Sequence, residues 1–432
     1  MANNIVILGA GFGGLTTAIA LNKKMGRANL LNTYRIILID RNDYQTYYPT
    51  LYEAATTSKE TANYLDLKKI VTFPLAEILR DTPIQFLQGD IKELDLIDGD
   101  VHIETELGAQ KIKFHSLVIA LGSETNDFGI PGVKEYGLYL KSFPHSQKIR
   151  DTILEKIAEG RACVKIVVGG GGSTGVELSA ELQEWMRELR EEKKEIKECR
   201  TEVTIIEGGK SVVSALDPRI ASRITRRLAK VGISIMTDKF ITKVDEKNIY
   251  LKSGGVMPYD VFVWAGGIKA TTLMGKLPLK AEKGTRPVAE DNMRCLPETP
   301  DLNLAGNIYG VGDSICFMDP KTERPISYVA RAAIDQGSIV AHNIFEDIKC
   351  AEGLAPEPKH KIYKPVEYPY IIPAGGKWAA AKIGPFRIYG FAGWVIKGLV
   401  ELRYLLSVMR TTHALKIWLK GLWIFTANDR LG

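Results

Sequence analysis

Cysteine is scarce in this sequence: five among 432 residues, with no C-x-x-C pair and none before Cys163. So scattered a set excludes a disulfide-stapled mini-domain and a thiolate zinc site, and reads as reduced thiols in a cytosolic protein. Long apolar runs are missing as well; no stretch offers the ~20 uncharged apolar residues a helix needs to cross a bilayer. The opening Met1-Ala-Asn-Asn has no basic leader and runs straight into Ile5-Val-Ile-Leu8, so no targeting signal is expected. Neither low-complexity segments nor short repeats occur. With 45% apolar and 25% charged residues, disorder, collagen and coiled coil are excluded. No metal site and no nucleic-acid partner are expected.

Glycine is what the chain has in plenty, 40 residues in all, and many tight backbone turns follow. An apolar run over residues 4–9 ends in glycine, passes into a helical pattern through Leu21, and is followed by the β-branched run Arg35–Ile39, ending at Asp40. That is strand, glycine-rich turn, helix, strand: a βαβ unit. A second copy starts at Val164–Val168, enters Gly169–Gly172, continues through a charged helix to Glu198, and ends in a strand at Val203–Ile206 before Glu207. Two further strands, Ser116–Ala120 and Asp260–Ala265, also run into glycine, at Gly122 and Gly266. The run Glu188–Glu198 reads as a solvated helix face.

Gly9-Ala-Gly11-Phe-Gly13-Gly14 fits G-x-G-x-x-G between a strand and a helix. In such a turn the glycines allow a sharp bend, close approach of a pyrophosphate and tight helix packing. The helix start supplies N–H donors and a positive dipole end. Asp40 stands where a carboxylate can accept both ribose hydroxyls. Gly170-Gly-Gly172-Ser-Thr-Gly175 repeats the pattern, with Glu207 as its strand-end acid; a carboxylate there favours NAD(H) and repels the 2′-phosphate of NADP(H). Tyr309-Gly-Val-Gly312-Asp313 ends a strand in Gly-Asp, a placement that brings a carboxylate to the ribityl and pyrophosphate region of FAD. Two dinucleotides are therefore expected, FAD in the first site and NADH in the second.

These motifs resemble a two-dinucleotide-binding-domain flavoprotein and, more narrowly, a type II (non-proton-pumping) NADH:quinone oxidoreductase. The narrowing rests on Asp40-Arg-Asn-Asp-Tyr-Gln-Thr-Tyr-Tyr-Pro-Thr-Leu-Tyr-Glu-Ala-Ala55 and on the tail with Tyr389-Gly390 and Leu402-Arg-Tyr404. The resemblance implies an α/β fold of two Rossmann-like domains, the FAD domain split around the NADH domain. Expected boundaries are 1–150 and 276–372 for FAD, 151–275 for NADH, and 373–432 for a C-terminal membrane-association region of amphipathic helices.

By the same resemblance Gly9, Gly11, Gly13, Gly14 and Asp40 would hold the ADP half of FAD, with Ile91 offering backbone to the adenine. Gly122, Ser123, Gly312 and Asp313 would line the flavin path. Val329 and Ala330 would begin a helix facing the isoalloxazine O2, where negative charge grows on reduction. Gly170, Gly172, Gly175, Glu207 and Gly266 would bind NADH, with Glu177 near the nicotinamide–flavin contact. On the residues alone, Glu177 is also simply an acid early in a helix. One departure stands out: where the family carries two glutamines flanking the quinone, this chain has Arg331 and Asp335. At i, i+4 they suit a mutual salt bridge; alternatively Arg331 donates to a quinone carbonyl and Asp335 orients it. Lys377 and Arg387, in the region that follows, read as surface charges.

The implied activity is that of a peripheral membrane enzyme on the cytoplasmic face, homodimeric, oxidising NADH and reducing a membrane quinone. A sulfide- or other-donor:quinone reductase and an NADH-binding flavin redox sensor are the alternatives. A disulfide reductase would need a redox cysteine pair after the first βαβ unit, and none is there. Cys163 precedes a buried strand and reads as a packing thiol. In the tail, Val395, Leu399, Leu402, Leu406 and Met409 form one helical stripe, and Leu415, Trp418, Leu422 and Phe425 a second. Trp394, Trp418 and Trp423 suit a bilayer interface, and the residues from Phe391 on carry six basic side chains against two acidic ones. Packing on the protein, or on a second copy, is the other use for such stripes.

Overall fold

Residues 3–159, 163–192, 202–282, 285–326 and 328–428 are described in this computed structural model. They fall into two compact units, the first built from Met1–Gln45, Phe73–Glu124 and Lys269–Tyr368, the second from Thr46–Thr72, Thr125–Ile268 and Pro369–Gly432.

In the first unit a five-stranded sheet runs in the order Asn307–Gly310, Ser116–Ile119, Asn3–Leu8, Tyr34–Asp40, Gln85–Gln88. All neighbours are parallel, Val6 pairing with Ile37 on one side and Leu117 on the other. Ile5 to Leu8 are wholly buried. An unbroken apolar run, without alternation, is what a strand covered on both faces requires. The helices Phe12–Arg27 and Ala330–Ala351 pack together beside it, where Thr17 Oγ1 donates to Gly13 O and reaches Gly337 O at 3.3 Å. An antiparallel sheet of Asp90–Asp95, Asp100–Thr105 and Gly108–Lys113 completes the unit.

The second unit repeats the theme with four parallel strands in the order Ser234–Met236, Glu202–Ile206, Lys165–Gly169, Val261–Trp264. The helix Ser173–Glu192 lays Val176, Leu178, Leu182, Trp185 and Met186 into its core. The turns expected as far as Glu198, together with Cys199, lie outside the described residues. A second antiparallel sheet, Tyr370–Pro373, Ala379–Ile383 and Phe386–Gly390, has Ala379, Ala380 and Ala381 fully buried at its centre. Such small residues let the helix Phe391–Val408 come very close. A Cβ on Gly393 would sit 2.4 Å from the Ala379 carbonyl oxygen.

The helix Thr411–Asn428 follows, joined to the preceding one by the Trp418 indole N–H donating to Gly398 O at 2.7 Å. Its inner side is the line Ala414, Ile417, Ile424 and Phe425, the last two packing with Leu67, Ile70, Val71 and Phe143. The outward line is therefore Leu415, Leu419 and Trp423, one step round from the expected stripe, and Phe425 belongs to the core. A helix apolar on most sides offers several stripes, and the neighbour decides which is covered. In the preceding helix Val395, Leu399 and Leu406 of the expected stripe are exposed, Leu402 and Met409 only half-buried, while Lys397 and Glu401 are turned in. No helix among the described residues is long and apolar enough to cross a membrane.

Candidate functional site

Each parallel sheet ends in a glycine turn, and the two turns are built alike, glycine by glycine. Gly9 and Gly170 open them at φ +100° and +110°; a Cβ there would lie 2.4 Å from Ala120 O and 2.5 Å from Ala265 O. Gly14 and Gly175 close them, with the Cβ position only 1.9 Å from Gly9 O and Gly170 O respectively. In between, Gly11 and Gly172 have no protein atom within 4 Å of the place a Cβ would occupy. The first and last glycines thus belong to the fold, whereas the middle one keeps open the space against a helix start where a pyrophosphate fits.

The strand-end acids close on the same turns. The Ala10 N–H donates to Asp40 Oδ2 at 2.7 Å, and the Asn42 N–H to Asp40 Oδ1 at 2.9 Å. Burial pushes the Asp40 carboxyl up, and the two backbone donors oppose it. In the second unit the Gly171 N–H donates to Glu207 Oε2 and the Gly209 N–H to Glu207 Oε1, both at 2.6 Å. Each carboxylate retains lone pairs beyond these bonds, as two ribose hydroxyls would need. The residues present fit two dinucleotides.

Further elements converge on the first crevice. Gly13 lies against Val311, whose Cγ2 is 2.7 Å from the Cβ position. The Gly122 N–H donates to Ser314 Oγ at 2.7 Å, and Ser123 Oγ donates to Asp313 Oδ2 at 2.9 Å, so two separate loops are tied edge to edge. Gly312, at φ +66°, donates its N–H to Gln336 Oε1 at 2.7 Å. Val329 is the N-cap of the helix that Ala330 begins. Ile91 is half-buried in the antiparallel sheet, paired with Ile103. Arg331 and Asp335 form an ion pair at 2.9 Å. Sequence reasoning did not single out Arg286, which donates to Asp313 O at 3.1 Å and to the Tyr328 hydroxyl at 2.7 Å. The third guanidinium nitrogen, Arg286 Nη2, is buried with no partner among the described residues.

In the second unit, Gly266 lies under Trp264, whose ring leaves no room for a side chain there. Glu177, half-buried, feels the field of a buried charge cluster that the sequence reading missed. Lys397 pairs with Glu53, its ammonium 5.0 Å from the Tyr52 ring centroid and 5.9 Å from that of Phe425. Glu401 lies one helical turn beyond Lys397, and the Tyr47 and Tyr404 rings stack at 5.6 Å. Burial pushes both Glu177 and Glu401 up to about 8, with Lys397 opposing and Glu53 adding to the rise. Glu53 is raised as well, by burial. The signal in the sequence was Lys397 and Glu401 at i, i+4 opposite the leucine stripe, a pattern that equally fits an exposed pair.

Two side readings change. Arg387 is no free surface charge: it holds both carboxylate oxygens of Asp217, at 3.1 and 2.7 Å. Cys163 is exposed and disulfide-bonded rather than a packed thiol, whereas Cys295, Cys316 and Cys350 are free.

Several known proteins share this construction. A type II NADH:quinone oxidoreductase of Staphylococcus aureus (strain NCTC 8325 / PS 47) is 27% identical over 351 residues, covering 79% of this chain and 81% of its own. The NDH2 of Plasmodium falciparum, solved in complex with NADH, superposes over the whole of both chains with a TM-score of 0.81 at 17% identity. The sulfide:quinone oxidoreductase of Aquifex aeolicus does so over 95% of this chain and 92% of its own, with a TM-score of 0.73 at 18% identity. Residues 3–337 match the pyridine nucleotide-disulphide oxidoreductase family, from the first glycine turn past Gln336, and the chain belongs to that family.

Proposed function

We propose that this protein oxidises NADH and passes two electrons through FAD to a membrane quinone, without pumping protons. The doubled crevice carries the reading: two glycine turns of the same geometry, each closed by a strand-end carboxylate, in one chain. An enzyme needing one dinucleotide has no use for the second. The activity named for the Staphylococcus relative supports the same reaction.

Gly9, Gly11, Gly13, Gly14 and Asp40 hold the ADP half of FAD, Ile91 lends backbone to the adenine, and Gly122, Ser123, Gly312 and Asp313 follow the ribityl side. Val329 and Ala330 present a helix start, whose N–H groups stabilise negative charge. Gly170, Gly172, Gly175, Glu207 and Gly266 hold NADH. FAD held there would supply the redox chemistry, taking up hydride equivalents and releasing electrons in pairs. Arg331 donates to a quinone carbonyl, and Asp335 fixes the guanidinium. Glu177, pushed up to about 8 by burial, is neutral below that pH and keeps a negative charge out of its surroundings.

Attachment to the cytoplasmic face of a membrane goes with this reading. Phe391, Val395, Leu399, Leu419 and Trp423 are between 38% and 66% exposed, on helices that also expose Arg403 and Lys416, with exposed Arg410 between them. Leucine outward and glutamate inward is the arrangement a lipid surface favours over water. The same stripe would serve a homodimer contact, and sedimentation with and without detergent separates the two uses.

Stopped-flow spectroscopy of FAD-reconstituted protein tests the reaction. NADH bleaches the flavin anaerobically, sulfide does not, and a quinone series restores the colour faster than oxygen does. Bleaching by sulfide alone would transfer the protein to the sulfide:quinone class, and bleaching without reoxidation by any quinone would leave a redox sensor.

A further inference from the structure

The helix Pro218–Val231 carries a row of arginines that neither crevice uses. Arg219, Arg223 and Arg226 recur at i, i+4 and i+7, the spacing that puts side chains on one face. All three are exposed, and no carboxylate among the described residues pairs with any of them. The nearest acid in sequence, Asp217, is occupied: it caps the helix and is held by Arg387. Arg226 donates to Ser222 Oγ at 3.1 Å, and Arg223 lies 5.7 Å from the centroid of the Tyr389 ring.

These side chains are not scattered over a convex surface. Pro218, Arg219, Ser222, Arg223, Arg226 and Tyr389 line one open cleft of about 600 Å³, the size range of a small-ligand pocket. Its frame is stiff. On the same helix Arg227 turns inward and donates to Ala374 O at 3.1 Å and Gly375 O at 2.8 Å, which bolts the helix to the sheet bearing Tyr389. Three like charges one turn apart repel one another, a cost that an anion in the cleft would remove. Planar guanidinium forks match the oxygens of a phosphate two at a time, and the Ser222 and Tyr389 hydroxyls add neutral donors.

We propose that Arg219, Arg223 and Arg226, with Ser222 and Tyr389, form a binding site for a phosphate-bearing anion, either a lipid headgroup or a soluble phosphate. The site stands apart from the NADH-oxidising reaction proposed above and does not depend on it.

The full-length protein is compared with Arg219→Ser/Arg223→Ser/Arg226→Ser, and with Lys230→Ser as a control for an exposed charge on the same helix outside the cleft. One arm measures sedimentation with phosphatidylcholine vesicles, with and without phosphatidylglycerol. The other measures thermal stability in inorganic phosphate against chloride at equal ionic strength. At about fivefold per arginine near an anionic surface, a headgroup site predicts that the native protein prefers anionic vesicles and that the triple variant loses this preference by roughly a hundredfold. Binding to neutral vesicles stays as it was, because the leucine face is untouched. A soluble source predicts no vesicle preference, but stabilisation by phosphate that the triple variant lacks. Absence of both effects in the native protein overturns the proposal, as does a triple variant indistinguishable from native, or an equal loss in Lys230→Ser. Failure to bind any vesicle counts against membrane attachment alone, since the phosphate arm still reads the cleft.

Discussion

Lys397 is the buried counter-charge of Glu53, and it reaches that acid from a helix whose outward face is leucine. The Lys397 side chain is 15% exposed and that of Glu53 2%, so neither can exchange its partner for water. A second Glu53 oxygen has no partner at all. Removing one member of such a pair leaves an uncompensated charge and typically costs about 3–5 kcal/mol. Lys397→Ala should therefore lower the melting temperature sharply, and Lys397→Leu combined with Glu53→Gln should recover most of the loss. A double variant no more stable than the single one would show that packing around Tyr52 and Phe425, not charge, is what Lys397 supplies.

The same cluster sets a pH dependence. Glu177 and Glu401 titrate near 8 in the fold, against the ordinary carboxylate range once unfolded. Between those values the native state binds more protons than the unfolded chain, so stability falls as pH rises from about 4.5 to about 8 and levels off above that. Lys397, Glu53, Tyr47 and Tyr404 are the other groups facing Glu401, and one ammonium cannot balance three carboxylates. Glu401→Gln, which stays neutral throughout, should flatten this fall and raise the melting temperature at pH 8 more than at pH 5.5. Equal slopes in both proteins would mean that Glu401 is ionised in the native state.

Much of this molecule is written locally. Both βαβ units, their glycine turns, and Asp40 and Glu207 at the strand ends follow from apolar runs that stop at glycine or acid, because a strand buried on two faces leaves little freedom of composition. What escapes is whatever depends on which neighbour arrives. Glu53 and Lys397 are 344 residues apart, and nothing near either announces the other. Arg387 looks like a surface charge until Asp217 is brought beside it. The outward line of the last helix moved from Trp418 and Phe425 to Leu419 and Trp423 because the helix Tyr64–Val71 covers the other side.

Arg331 and Asp335 invite a separation of binding from flavin reduction. Their ion pair is half-exposed, at 46% and 33%, so its contribution to stability should be under about 1 kcal/mol. Arg331→Ala should leave melting temperature and flavin reduction by NADH nearly unchanged, and raise the apparent KM for quinone about tenfold, the loss of one charged hydrogen bond. A slowed reductive half-reaction would place Arg331 on the NADH side of the chemistry.

Coenzyme choice should turn on Glu207. Its carboxylate is already fixed by the Gly171 and Gly209 N–H groups, which holds a negative charge where a 2′-phosphate would lie. Glu207→Gln removes the charge while keeping an acceptor for one of those donors. The ratio of kcat/KM for NADH to that for NADPH should fall about tenfold, equivalent to about 1.4 kcal/mol of lost discrimination. An unchanged ratio would take the ribose contact away from Glu207.

The two glycine turns allow fold and ligand to be told apart within three residues. A methyl group at Gly175 would meet Gly170 O at 1.9 Å, a backbone atom that cannot step aside, so Gly175→Ala should destabilise the second unit whether or not NADH is present. At Gly172 the same methyl meets nothing within 4 Å. Gly172→Ala should therefore melt like the native protein without NADH, yet lose the stabilisation that added NADH confers, with KM for NADH raised tenfold or more, about 1.4 kcal/mol. Differential scanning fluorimetry with and without NADH reads both variants in one experiment. If Gly172→Ala is stabilised by NADH as fully as the native protein, the open space at Gly172 is not where the pyrophosphate lies.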